Sequence, residues 1–169
     1  AEFGTAYADI VRVLKGLFGT KHNPLVISGS GTSGMEAAVA NFGKNRRTVH
    51  LINGKFGERM YTIGQRYASS ALSLESEWGT PLNLEGLRAA LEDGCDVVTM
   101  VHNETSAGIL NPAEEVGKIC RKHDALFIMD GVTSIGGDLV RVDDWGVDVA
   151  VVGSQKCLAA PAGLAAVSV

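Results

Sequence analysis

The sequence predicts an α/β fold, a three-layer α/β/α arrangement around a mostly parallel sheet. Segments with helical apolar spacing alternate with short apolar runs bounded by turn residues. Those short runs are apolar at successive positions, as strands are when helices cover both faces of a sheet. The third observation is glycine, 21 of 169 residues, against a typical ~7%. With only four prolines and no short repeat, these glycines belong to individual turns and caps.

From Tyr7 to Phe18 the apolar positions Ile10, Val11, Leu14, Leu17 and Phe18 follow helical spacing, and Gly19 stops the pattern. Leu25 to Ser28 reads as the first strand. A glycine-rich turn then leads to a helix from Met35 to Phe42, a strand from Thr48 to Ile52 and a helix from Gly57 to Tyr67. A strand at Ala71 to Leu74 precedes a helix at Leu84 to Leu91, which Gly94 ends. Asp96 to Val101 is a strand. Pro112 to His123 is a helix, with Asn111 as its expected cap and Pro112 in its first turn. Leu126 to Met129, Val147 to Val152 and Leu164 to Val169 complete the expected strands. No linker or composition shift divides the chain, whose size suits one domain.

Composition removes several classes of function. Apolar residues make up 46% and charged residues 20%, and no apolar run approaches the roughly 18 residues of a membrane span. A net charge of −4 gives nucleic acid and anionic lipid no electrostatic reason to bind. Cys95, Cys120 and Cys157 form no CxxC pair and are odd in number, which favours a reducing, cytoplasmic setting without a disulfide framework. No basic leader opens the chain. It starts at Ala1-Glu2-Phe3-Gly4 without Met and runs straight into a helical pattern, so residues 1–169 are expected to be a piece of something longer.

Ligands of such folds gather at the carboxyl ends of strands. After the first strand comes Ser28-Gly29-Ser30-Gly31-Thr32-Ser33-Gly34 and then a helix. Small residues there let the backbone approach an anion, amides and the helix dipole attract it, and hydroxyls add donors, so phosphate is the natural guest. The segment also fits GxGxxG, but the next strand ends in His50-Leu51-Ile52-Asn53-Gly54, without the acid a dinucleotide site requires. The Walker pattern fails as well, and tight strand-to-helix packing is the bland alternative. Asp130 closes the apolar run Leu126 to Met129 and is followed by Gly131-Val132-Thr133-Ser134, so its carboxylate is expected in a cleft. Lys156, in Gly153-Ser154-Gln155-Lys156, has few carboxylates near it in sequence. A desolvated lysine sheds its proton readily and forms an imine with a carbonyl, whereas a lone lysine of this kind otherwise sits on the surface. A phosphate cradle, a carboxylate and a lysine together suit pyridoxal phosphate, which carries a phosphate ester, a ring nitrogen and an aldehyde.

Gly29-Ser30-Gly31-Thr32 with Glu36-Ala37-Ala38 resembles the phosphate-binding segment of class V aminotransferases. So, in order along nearly the whole chain, do the segments from Asn53 to Arg59, from His102 to Gly108, from Asp130 to Ser134 and from Gly153 to Lys156. This group includes alanine–glyoxylate, serine–pyruvate and 2-aminoethylphosphonate aminotransferases, and Gly153 to Gly163 is similar to archaeal aspartate or alanine–glyoxylate aminotransferases. The resemblance implies the large domain of a fold type I pyridoxal-phosphate enzyme. It also implies transfer of an amino group from an amino acid of the alanine, serine or aspartate class to a 2-oxo acid such as glyoxylate or pyruvate. By position, Lys156 would bind the cofactor's aldehyde and move the substrate proton, and Asp130 would keep the ring nitrogen protonated. Ser30, Gly31, Thr32 and Gln155 would hold the phosphate, Phe56 would stack on the ring, Val132 would pack under it, and Thr105 would lie near its phenolic oxygen. Taken alone, Phe56 also reads as core, Thr105 as a turn former and Gln155 as a surface amide.

The family pattern further implies a homodimer, and an N-terminal arm and a C-terminal small domain outside these residues. Desulfurases of the same superfamily usually carry a histidine over the ring, and Phe56 departs from that. The alternative functions are a 2-aminoethylphosphonate–pyruvate aminotransferase-like enzyme and a nucleotide- or anion-binding domain without transaminase activity. No metal site is expected: Cys120 and His123 lie three apart on a helix but lack a third ligand. His102 is expected to end a strand, outside the site. Glu114 and Glu115 followed by Lys118, Arg121 and Lys122 read as a solvated helix face that complements the dipole.

Overall fold

The computed structural model describes residues 2–169. In chain order the elements are α1 (Glu2–Phe18), β1 (Leu25–Ser28), α2 (Gly31–Phe42), β2 (Arg47–Ile52), α3 (Lys55–Tyr67), β3 (Ser70–Glu75), α4 (Leu84–Glu92) and β4 (Val97–Val101). They continue with the hairpin β5 (Asn103–Glu104) and β6 (Ile109–Leu110), then α5 (Ala113–Lys122), β7 (Leu126–Asp130), α6 (Val142–Trp145), β8 (Val149–Gly153) and β9 (Leu164–Ser168). Seven strands form one sheet in the order β1-β9-β8-β7-β4-β2-β3. Neighbours from β8 through β3 are parallel, whereas β9 runs antiparallel to both β8 and β1. Every strand of this sheet except β9 therefore points the same way, and six carboxyl ends share one edge.

Central strands β4 and β8 are buried at every position, which explains why their sequence is apolar apart from Thr99. One face of the sheet packs Phe127, Val98, Met100 and Ala150 against Leu14, Phe18, Leu87 and Val116 of α1, α4 and α5. The other packs Ile128, Val149 and Val151 against Met35, Val39, Met60 and Ile63 of α2 and α3. This is the expected α/β/α layering. The charged residues Glu114, Glu115, Lys118, Arg121 and Lys122 of α5 are all exposed, as its amphipathic pattern requires.

Several boundaries depart from the periodicity. Helix α2 starts at Gly31 and not at Met35, because its first turn is made of small residues that carry no apolar signal and is capped by Ser30, whose Oγ accepts the Ser33 amide at 3.3 Å. Helix α3 starts at Lys55, two residues before Gly57, for a similar reason, its amides being capped from another loop. Pro112 takes the cap position of α5. Asn111 does not cap that helix: its amide donates to Val101 O at 2.8 Å and pairs reciprocally with Asn53. The short elements β5, β6 and α6 give too few residues to display a period.

His50 on β2 is fully buried between two threonines. Thr48 Oγ1 donates to Ser70 O, so it accepts from His50 Nε2 at 2.9 Å, and Nδ1 accepts from Thr99 Oγ1 at 2.7 Å. That arrangement satisfies a neutral imidazole, and burial lowers the pKa to about 4. Between that value and the ordinary 6.5 the unfolded chain binds the proton more tightly, so this contribution is present above pH 6.5 and is lost as pH falls toward 4. Urea titrations at pH 7 and pH 4 should show His50→Gln losing about 3 kcal/mol less than the parent over that range; equal losses would dismiss the imidazole as the cause. At Gly117 on α5 an added Cβ would collide with the backbone oxygen of Trp145. Gly117→Ala should therefore cost about 1–3 kcal/mol, read as a lowered denaturation midpoint, and an unchanged midpoint would mean that α6 yields freely.

Candidate functional site

One cavity opens at the shared carboxyl edge, and segments following five strands line it. From the β1–α2 junction come Ser30, Gly31 and Thr32. The amides of Gly31 and Thr32 lie in the first helical turn, where no intrahelical acceptor exists, and they are free to meet an anion. Gly31 is the residue this position accepts, because a Cβ would come within 2.8 Å of Val132 Cγ2. Val132 thereby packs directly on the start of α2.

Asp130 ends β7 and is 4% exposed. Its Oδ1 accepts the Val132 amide at 2.9 Å. Burial raises its pKa to about 6, against the Val132 amide; the Glu104 charge adds to the rise and Arg59 opposes it. A buried acid held in this way favours a proton shared with a ligand. Gln155 and Lys156 follow β8 in a turn and line the same cavity. Lys156 is exposed, so the desolvation expected from its small neighbours is not present within residues 2–169. A lysine at the mouth of a cleft stays in water unless something covers it.

Phe56, half-buried, comes from the first turn of α3. The start of that helix is capped from another loop: Glu104 Oε2 accepts the amides of Phe56 and Gly57 at 3.0 Å each, and Ser106 Oγ accepts that of Lys55 at 2.8 Å. Ser106 in turn donates to Glu104 Oε1 at 2.6 Å. Glycine stands at position 54 because a Cβ there would overlap the Glu104 side chain. Thr105, between these two caps, is exposed on the cavity wall. Asn103 lines the wall as well; its amide donates to Thr133 O at 3.1 Å, and Thr133 Oγ1 donates back to Asn103 O at 3.0 Å.

The structure thus brings all nine expected residues to one cavity: Ser30, Gly31, Thr32, Phe56, Thr105, Asp130, Val132, Gln155 and Lys156. It adds Arg59, Asn103, Thr133, Met35 and Val101. Arg59 ends a segment that carries the family resemblance but has no site role from it, because an arginine in a helix ordinarily reads as solvated. Its Nη1 donates to Thr32 Oγ1 at 3.3 Å, and its guanidinium sits 5.0 Å from the centre of the Phe56 ring. His102 lies elsewhere, edge-on to Trp145 at 5.5 Å. Cys120 is fully buried while His123 is partly exposed, and no group of three or more metal-ligating side chains occurs among the described residues.

The profile of the aminotransferase class-V family matches residues 2–169. An uncharacterised aminotransferase of Methanocaldococcus jannaschii is 42% identical over 99% of this chain and 44% of its own length. The (S)-ureidoglycine–glyoxylate transaminase of Bacillus subtilis is 38% identical over 99% of this chain and 42% of its own. Among solved structures, the ureidoglycine–glyoxylate aminotransferase of Bacillus subtilis superposes with a TM-score of 0.93 at 36% identity, covering 99% of this chain and 44% of that one. The chain therefore spans less than half the length of these relatives. With its fold, its cavity and its sequence all in agreement, the chain belongs to the class-V aminotransferase family.

Proposed function

We propose that residues 1–169 form most of the cofactor-binding large domain of a pyridoxal-phosphate-dependent aminotransferase. The enzyme transfers an amino group from an amino acid of the alanine, serine or aspartate class to a small 2-oxo acid. The observation that carries this reading is the convergence of Lys156, Asp130 and the Ser30–Thr32 turn on one cavity from three distant segments. Glyoxylate in the names of several relatives supports an acceptor of that class.

The donor set fits pyridoxal phosphate. Hydroxyls and free amides at a helix start suit a phosphate, a buried acid of raised pKa suits a ring N–H, and a primary amine at the mouth suits an aldehyde. Bound there, this cofactor supplies an aldehyde for amines and a ring that takes up the electron pair left when a substrate α-carbon loses its proton. Ser30, Gly31, Thr32 and Gln155 would bind the phosphate. Phe56 would stack on the ring and Val132 would pack under it, while Thr105 would donate near the phenolic oxygen. Asp130 would hold the proton of the ring nitrogen. Lys156 would anchor the aldehyde and, once displaced by substrate, would take the proton from the substrate α-carbon and pass it to the cofactor's former aldehyde carbon, C4′.

The same reading assigns the groups that recognise the substrate carboxylate to the other half of a longer chain. It also includes a homodimer, for which Phe3, Tyr7, Ile10 and Val13, all exposed on α1, offer apolar surface. No described helix is long and apolar enough to cross a membrane. Free thiols at Cys95, Cys120 and Cys157 support a reducing compartment such as the cytoplasm.

Mixing the chain with pyridoxal phosphate should produce a yellow absorption band, and borohydride reduction followed by peptide mapping should find the label on Lys156. Label spread over surface lysines, or retained in Lys156→Ala, would sink the reading. Asp130 gives a second test, in the absence of cofactor. Its raised pKa means that the folded chain holds the proton more tightly than the unfolded one, so its carboxylate costs stability increasingly from pH 3.8 to pH 6 and fully above that. Asp130→Asn should be more stable than the parent at pH 7 by about 3 kcal/mol, with the gain vanishing near pH 3.5 and cofactor affinity falling. A variant that gains nothing at pH 7 would show that the carboxylate is not strained by burial.

A further inference from the structure

We infer that Arg59 is the counter-charge for the phosphate: its guanidinium receives the phosphate of the cofactor beside Ser30, Gly31 and Thr32. This rests on the cofactor reading above and deepens it. A phosphate monoester carries about −1.5 to −2 charge at neutral pH. The cradle itself is uncharged, since it consists of two hydroxyls, backbone amides and the Gln155 amide. The start of α2 contributes the equivalent of roughly half a positive charge, which leaves most of the phosphate charge uncompensated.

Three charged side chains line the cavity: Arg59, Asp130 and Lys156. Asp130 has the wrong sign. Lys156 is committed to the aldehyde, which a rigid ring separates from the phosphate arm. Arg59 remains, and its contacts place it at the correct end, since Nη1 reaches Thr32 Oγ1 at 3.3 Å. The Phe56 ring, 5.0 Å away, braces the guanidinium through a cation–π contact. The cap that Glu104 places on Phe56 and Gly57 fixes the turn of α3 from which Arg59 projects.

The acids nearby are already engaged. Glu58 accepts from Lys55 Nζ at 2.8 Å, while Glu36 accepts from Tyr67 Oη at 2.8 Å and lies 3.8 Å from Arg66. Among the described residues no carboxylate pairs with Arg59. An exposed guanidinium bonded to a hydroxyl of the anion cradle, and in no ion pair among the described residues, is preorganised for a planar two-pronged grip on phosphate oxygens.

The test compares two aldehydes that differ only in the phosphate, pyridoxal 5′-phosphate and pyridoxal. Each is titrated by absorbance into the parent chain, Arg59→Lys and Arg59→Met, with the urea midpoint of each variant confirming that it folds. Loss of Arg59 should raise the Kd for pyridoxal 5′-phosphate about tenfold or more in Arg59→Met and less in Arg59→Lys. The Kd for pyridoxal should stay within about twofold, because one missing charge pair is the whole difference. Inorganic phosphate should compete with pyridoxal 5′-phosphate in the parent and lose that ability in Arg59→Met. Equal weakening of both aldehydes would overturn the inference and leave Arg59 as a brace for Phe56. No change for either would overturn it in favour of a role toward substrate. A parent chain that binds neither aldehyde would overturn the cofactor reading itself.

Discussion

The buried carboxylate of Glu104 joins the loops on which the cavity depends. Parallel strands deliver chain to one edge but do not determine how the loops beyond that edge sit against one another. Here one fully buried acid accepts two helix amides from α3 and two donors from Ser106, so its charge is spread over four hydrogen bonds. A buried charge is tolerable on those terms and costly on any others. Phe56 and Arg59 on one side and Thr105 on the other take their positions from it. Asn103, the residue before it, extends the linkage to Thr133 and hence to the segment after Asp130.

Electrostatically the cavity is arranged by depth. Asp130 lies at the bottom, removed from water and resisting ionisation, whereas Lys156 and Arg59 stand at the rim. The rim carries the positive charge, and the floor carries a carboxyl group whose ionised form is relieved by a protonated partner. A ligand anionic at one end, with a basic nitrogen at the other, relieves both conditions at once. Folding alone leaves Asp130 in an unfavourable state, and a protonated partner placed on it would recover the stability given up there.

The strands were legible because β4, β7 and β8 are covered on both faces and are apolar except at Thr99, which bonds His50, and at the terminal Asp130. Direction was not legible. The apolar run Leu164 to Val167 reads identically whichever way it points, and only the short return after Lys156 makes β9 antiparallel. Apolar spacing marks a helix start too late wherever capping replaces it, as at Gly31 and Lys55. In the site, residues of unusual type at a strand end, Asp130 and Lys156, stood out from the sequence. Arg59 and Glu104 did not, because their significance lies in contacts with segments far along the chain: Thr32 for one, Phe56 and Gly57 for the other. The family resemblance gives the expected residues their roles; the segments that carry it include Arg59 and Glu104 but assign neither a role.

The reversed strand β9 bears on how Lys156 moves. Its loop leaves the sheet at β8 and returns at once beside it, and Ser154 closes the base by donating to Pro161 O and accepting from Leu164 N. The backbone under the lysine is consequently clamped at both ends to paired strands, one of which, β8, is buried at every position. What remains free is the long side chain, which reorients in picoseconds to nanoseconds, whereas loop rearrangements are slower. The amine thus behaves as a swinging arm on a fixed post, able to leave and return to one point without any movement of the frame that holds it.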